Sequence, residues 1–113
     1  MKDALLVTGF AVEKGVVFQR EFKLFKNIMI KSRGVRRLGS AALDICYVAN
    51  GLWDGFWERG LSPWDVAAAG LICLEKGVEV TDYSVKVFNP FQSSIVVARR
   101  PIHRELKNIF KAI

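Results

Sequence analysis

Two periods of apolar and polar positions alternate along these 113 residues. Residues 4–10 (ALLVTGF) form a short apolar run with a glycine near its end, the mark of a buried strand. Over 16–31 the apolar positions are Val17, Phe18, Phe22, Phe25, Ile28 and Met29, with Gln19, Arg20, Lys23, Lys26 and Asn27 opposite, which predicts an amphipathic helix. A brief strand over 35–38 carries Arg36 and Arg37 and breaks at Gly39. Ser40 can cap a helix running to Asn50 and closed by Gly51. That helix is apolar nearly all round, with Asp44 its only charge, so it should be buried on more than one side. A strand is expected over 55–59, a helix over 63–76 and an alternating strand over 78–83. A loop with Pro90 spans 84–94, a strand 95–99, and Pro101 opens a last helix with Ile102, Leu106, Ile109 and Phe110 on one face.

Short strands alternating with helices predict a single α/β layered domain. Its sheet should be mixed but mostly parallel, with about five strands flanked by helices. The apolar runs are far shorter than the ~18 residues a membrane span needs. Met1-Lys2-Asp3 leads into a run too short for a signal peptide, so a cytoplasmic location is expected. Cys46 and Cys73 lack metal-ligand spacing and read as reduced core thiols, and the lone His103 reads as a surface residue in the first turn of the last helix. Seventeen basic against eleven acidic side chains give a net charge of +6, which suits an anionic substrate or a weak affinity for nucleic acid. The densest basic run, Lys31, Arg33, Arg36 and Arg37, reads first as a solvated face. Aromatic residues do not interleave with these arginines in sequence, which argues against nucleic acid as the partner.

The stretch Ser62-Pro63-Trp64-Asp65-Val66-Ala67-Ala68-Ala69-Gly70 carries the most chemistry. Ser62 stands at an N-cap and Pro63 at the first helical position, where its missing N–H costs nothing. Asp65 then falls at the third helical position, where the helix dipole favours a negative charge. Two readings stay open: an acid held ready for a cation in a cleft, or an acid that only completes a capping box with Ser62.

Three segments together resemble the inositol monophosphatase family and the similar archaeal and bacterial fructose-1,6-bisphosphatases. They are Gly39-Ser40-Ala41-Ala42 after Arg36-Arg37-Leu38, then Gly55-Phe56-Trp57-Glu58, then Pro63-Trp64-Asp65 with its W-D-x-A signature. The strand at 4–10, Val80-Thr81-Asp82 and the stretch 95–106 fit as well. The resemblance covers only about the second half of a family enzyme. The half that carries a metal-binding Glu and the D-P-[IL]-D-G-[ST] loop is not matched. Lys76-Gly77-Val78 stands where the family has paired glycines, and Tyr83-Ser84 where it has a glycine turn.

The resemblance implies an Mg²⁺-dependent phosphatase acting on a phosphorylated polyol or sugar. Asp65 would be a metal ligand, and Gly39, Ser40, Ala41 and Glu58 would contact the substrate ring. Trp64 would pack beside the site, while Asp44, Asp54 and Asp82 read as structural. With one metal-binding acid, the isolated chain is expected to be catalytically dead or nearly so. The face that meets the N-terminal half would be apolar and exposed, favouring self-association. The alternative is a non-catalytic α/β module binding a protein or nucleic acid through its basic face.

Overall fold

The computed structural model describes residues 1–10 and 15–113. Its strands are β1 (Leu5–Thr8), β2 (Gly34–Arg36), β3 (Gly55–Arg59), β4 (Glu79–Thr81) and β5 (Ser94–Ala98). Its helices are α1 (Val16–Lys31), α2 (Ala41–Ala49), α3 (Pro63–Glu75) and α4 (Arg100–Lys111). The strands form one mixed sheet in the order β2-β1-β3-β5-β4. β1 lies parallel to both β2 and β3, whereas β5 runs antiparallel to β3 and β4. Parallel pairing is thus confined to one half of the sheet. None of the described helices is long and apolar enough to cross a membrane.

Strand alternation assigns neighbouring side chains to opposite faces. Val7, Phe56, Val80, Ile95 and Val97 pack with Ile45 and Val48 of α2 and Val66, Ala69 and Cys73 of α3. Leu6, Trp57, Val96 and Ala98 pack with Leu24 and Ile28 of α1 and Leu106, Ile109 and Phe110 of α4. The two adjacent aromatics Phe56 and Trp57 therefore anchor the two halves of the core. Both cysteines are free thiols. Cys73 is buried, and burial, the main cause, pushes its thiol up to about 11.

One local expectation needs correction. His103 is buried rather than exposed, and its Nε2 lies 2.8 Å from Thr81 Oγ1. Position 103 shares the inner stripe of α4 with Leu106 and Phe110, so helix geometry outweighs its charged neighbours. Asp54 has a structural role: its Oδ2 accepts the Leu5 N–H at 2.8 Å and ties β1 to the start of β3. Asp82 braces the loop after β4 by accepting the Ser84 and Lys86 N–H groups, each at 2.9 Å. At the end of α2, Arg99 donates to the Val48 and Ala49 carbonyls, both at 3.1 Å, which supplies the donors a helix C-terminus lacks.

Candidate functional site

The chain leaves β1 toward β2 on one side and later returns to β3 on the other. A crevice forms outside the carboxyl ends of strands at such a reversal in an α/β sheet. Here it is a cleft of about 420 Å³. Thr8 and Gly9 reach it from the end of β1, Glu58 from β3, Gly39 to Ala42 from the start of α2, and Asp65 from the start of α3. The cleft thus gathers Gly39, Ser40, Ala41, Glu58 and Asp65, which lie far apart in sequence. It also takes in Arg37 and Asp44.

Asp65 is partly exposed. Its Oδ2 accepts the Ser62 N–H at 3.0 Å, so the capping box is formed. The two readings of this acid are compatible. The cap uses one carboxylate oxygen and fixes the rotamer, while the side chain still lines the cleft. Trp64 does not pack beside the site. It is 81% exposed, because the second residue of α3 points away from both the sheet and the cleft.

Glu58 is half-buried, and its carboxyl lies over Gly9, where a Cβ would collide with it. Its pKa is pushed up to about 7, first by burial, then by the charge of Asp44. Arg37 opposes the rise, and Asp65 and Glu21 add to it. Asp44, read from sequence as a structural polar residue, is only 3% exposed and lines the same cleft; burial raises its pKa. The usable signal was there: a lone acid on a helix apolar all round must be buried or face an opening. Arg37 departs from a purely solvated reading, since it lines the cleft and its guanidinium sits 6.0 Å from the Phe10 ring centroid. An aromatic and an arginine separated in sequence therefore do meet in space.

Gly39 has φ +88°, a conformation that suits glycine, and it turns the chain into α2. Ser40 occupies the N-cap, but its hydroxyl makes no capping bond. The first N–H groups of α2 are left without a side-chain acceptor at the cleft. The cleft therefore combines carboxylate acceptors, helix-end donors and one guanidinium. Such a set suits hydroxyl groups and a cation better than a bare anion. Among the described residues, no group of three His, Cys, Asp or Glu side chains is placed to hold a metal ion.

An α/β domain with an acid-lined cleft at a strand reversal and two helix N-termini places the chain among the α/β folds whose crevice lies at the carboxyl ends of their strands. Within that class, residues 1–112 match the inositol monophosphatase family, and the chain belongs to it. It is 44% identical over 106 residues to "Phosphatase IMPL1, chloroplastic" of Arabidopsis thaliana, covering 94% of this chain and 29% of that protein. It is 38% identical over 112 residues to "Inositol-1-monophosphatase" of Synechocystis, covering 99% of this chain and 39% of that protein. The crystal structure of extragenic suppressor protein suhB from Bartonella henselae superposes with a TM-score of 0.90 at 34% identity, covering 97% of this chain and 42% of that one. The chain thus spans well under half the length of these relatives.

Proposed function

We propose that this chain is the substrate-ring half of a metal-dependent phosphomonoester hydrolase acting on inositol phosphate or fructose 1,6-bisphosphate, and that it is inactive alone. The observation that carries this reading is Asp65, held by its own cap at the edge of a cleft shared with Glu58 and the start of α2. Hard divalent cations such as Mg²⁺ take oxygen ligands and bind few protein carboxylates per ion. Asp65 fits that role: one oxygen is committed to Ser62, and the other has no hydrogen bond among the described residues. The remaining ligands would come from the part of the enzyme outside this chain. A bound Mg²⁺ would neutralise phosphoryl charge and activate water.

Glu58 accepts from ring hydroxyls, and the N–H groups at Gly39, Ser40 and Ala41 approach the ring closely because no bulky side chain intervenes. Arg37 draws the phosphorylated substrate toward the cleft mouth. The outer face of α3, with Trp64, Leu71, Ile72 and Leu74 exposed, meets the missing part of the enzyme. When that part is absent, the same face drives self-association.

The test joins this chain behind the N-terminal portion of the Synechocystis enzyme and measures phosphate release from inositol 1-phosphate and fructose 1,6-bisphosphate. Mg²⁺-dependent turnover by the joined protein and none by the 113-residue chain is expected. Turnover by the isolated chain, abolished by Asp65→Ala, would refute the division of labour.

A further inference from the structure

A second opening lies beside the edge strand β4 and shares no lining residue with the cleft. It is a groove of about 420 Å³ with two unlike walls. α4 forms one wall and places Arg100, Arg104 and Lys107 along it. Steps of four and three residues put these cations on one helix face as neighbours. The other wall is apolar. It takes Leu74 from the last turn of α3, and Val85 and Val87 from the loop that folds back on Thr81.

Charge in the groove is unbalanced. Glu79 is the one acid lining it, and Arg100 pairs with that acid, Nε lying 3.4 Å from Oε1. Arg104 and Lys107 have no ion pair or hydrogen bond among the described residues. Both reach solvent, so the fold stands without a partner for them and they stay available. Val87 is 87% exposed, and Leu74 is exposed as well. The loop is also strained. Val85 has φ +65°, a left-handed conformation that a β-branched residue adopts only under constraint. Hydrogen bonds supply that constraint. Asp82 Oδ1 accepts the Ser84 and Lys86 N–H groups, the Asp82 carbonyl accepts the Val85 N–H at 3.1 Å, and Gln92 Nε2 donates to the Val87 carbonyl at 2.9 Å. A glycine would relieve the turn but would remove a side chain from the apolar wall.

An extended chain sends alternate side chains to opposite sides, about 6–7 Å apart on each side. Acids on one side then meet successive cations of α4, while aliphatic groups on the other meet Val85, Val87 and Leu74. We propose that this groove docks an extended segment of a partner protein in which acidic and aliphatic residues alternate. A nucleic acid strand suits it less. One wall is aliphatic, and the one phenyl ring in the groove, Phe88, is half-buried against Gly70 and offers no stacking platform. The docking surface lies outside the cleft and is independent of the phosphatase reading.

The probe is a capped, fluorescein-labelled Glu-Leu-Glu-Leu-Glu peptide, titrated with the 113-residue chain at low salt and followed by anisotropy. Saturable binding is expected, with a Glu-Ser-Glu-Ser-Glu peptide at least about fivefold weaker, the scale of partly burying one leucine. Arg104→Glu combined with Lys107→Glu should weaken the leucine peptide at least about tenfold, because like charges then face each other. Arg20→Glu combined with Lys23→Glu, on the exposed side of α1, changes net charge equally and should leave binding unchanged. Val87→Ser should weaken binding severalfold, and it decides the matter if the reversed α4 pair does not fold. Val85→Gly should melt later yet bind more weakly, a split that a purely structural role would not give. No saturable binding, unchanged binding in Val87→Ser, or an equal loss from the α1 pair would overturn the proposal. A thymidine pentanucleotide that binds more tightly than the peptide and needs Arg104 and Lys107 would assign the groove to nucleic acid instead. The joined enzyme should bind the peptide as the chain does; loss of binding there would show that the rest of the enzyme fills the groove, and would overturn it too.

Discussion

α3 and α4 are near twins in outline and opposites in finish. They run 13 and 12 residues, both place a proline in the first turn, and each packs on one face of the same sheet. α4 buries His103, Leu106, Ile109 and Phe110 and turns Arg100, Arg104, Glu105 and Lys111 to water. Its one buried polar side chain is hydrogen-bonded. α3 buries Val66, Ala69, Gly70 and Cys73, yet its outside carries Trp64, Leu71, Ile72 and Leu74. Its first turn opens on the cleft that Asp44 and Glu58 also line. An amphipathic helix with satisfied polar groups is complete as it stands. α3 instead leaves large apolar side chains on its outer face.

The largest break in this contrast comes at Asp65. In the joined enzyme, Asp65→Ala should lower phosphate release by on the order of 10²-fold or more, the scale set by losing one fixed electrostatic group. Asp65→Asn retains an acceptor for the Ser62 N–H, so similar inactivity with less loss of melting temperature would separate ligation from capping. Next comes the packing of α3 itself. A Cβ on Gly70 would overlap the Phe88 ring, so Gly70→Ala should destabilise by about 1–3 kcal/mol in urea titration. An unchanged midpoint would mean that Phe88 moves aside freely.

The pH response sharpens the same contrast, because the two regions carry opposite signs. Glu58 sits near 7 in the folded chain against 4.5 as its ordinary value. The folded state then binds the extra proton, so this penalty on stability is full above about 7 and fades as pH falls toward 4.5. Burial, the leading cause, lowers the His103 pKa below 6.5; Lys107 lowers it further and Glu79 opposes. Its contribution is present above 6.5 and is lost as pH falls through the folded value. Thermal melts across pH 8 to 5 should therefore show Glu58→Gln gaining most at the alkaline end. His103→Gln should flatten the acid loss. A Glu58→Gln melting gain that grows toward acid would contradict the burial of that carboxyl. The smallest effect on folding falls on the outer face. Trp64→Ser should change stability by within about 0.5 kcal/mol. It should nevertheless reduce self-association in sedimentation, whereas Arg104→Ala on α4 should leave association unchanged.

Much of this was legible in the chain. The helix start at Ser62-Pro63 and the strand 55–59 lie where their local chemistry places them, because caps, proline and a β-branched or aromatic run act within a few residues. Asp65 and Glu58 could be singled out by the resemblance, and they do share one cleft. The strand order was not legible, since antiparallel placement of β4 and β5 depends on contacts distant in sequence. Trp64 misled because a large aromatic beside a candidate ligand suggests packing, while helix phase turns it outward. Asp44 was passed over because its helix supplied an adequate structural explanation. Only the folded arrangement shows that it lines the cleft beside Glu58 and Asp65.

The most direct test is phosphate release from inositol 1-phosphate by the joined enzyme, measured with Mg²⁺ and with Mg²⁺ removed, for the parent and for Asp65→Asn. Turnover that requires the metal and disappears with the single carboxylate is the predicted result. Equal turnover by Asp65→Asn, or hydrolysis indifferent to the metal, would contradict the assignment of that side chain to a cation.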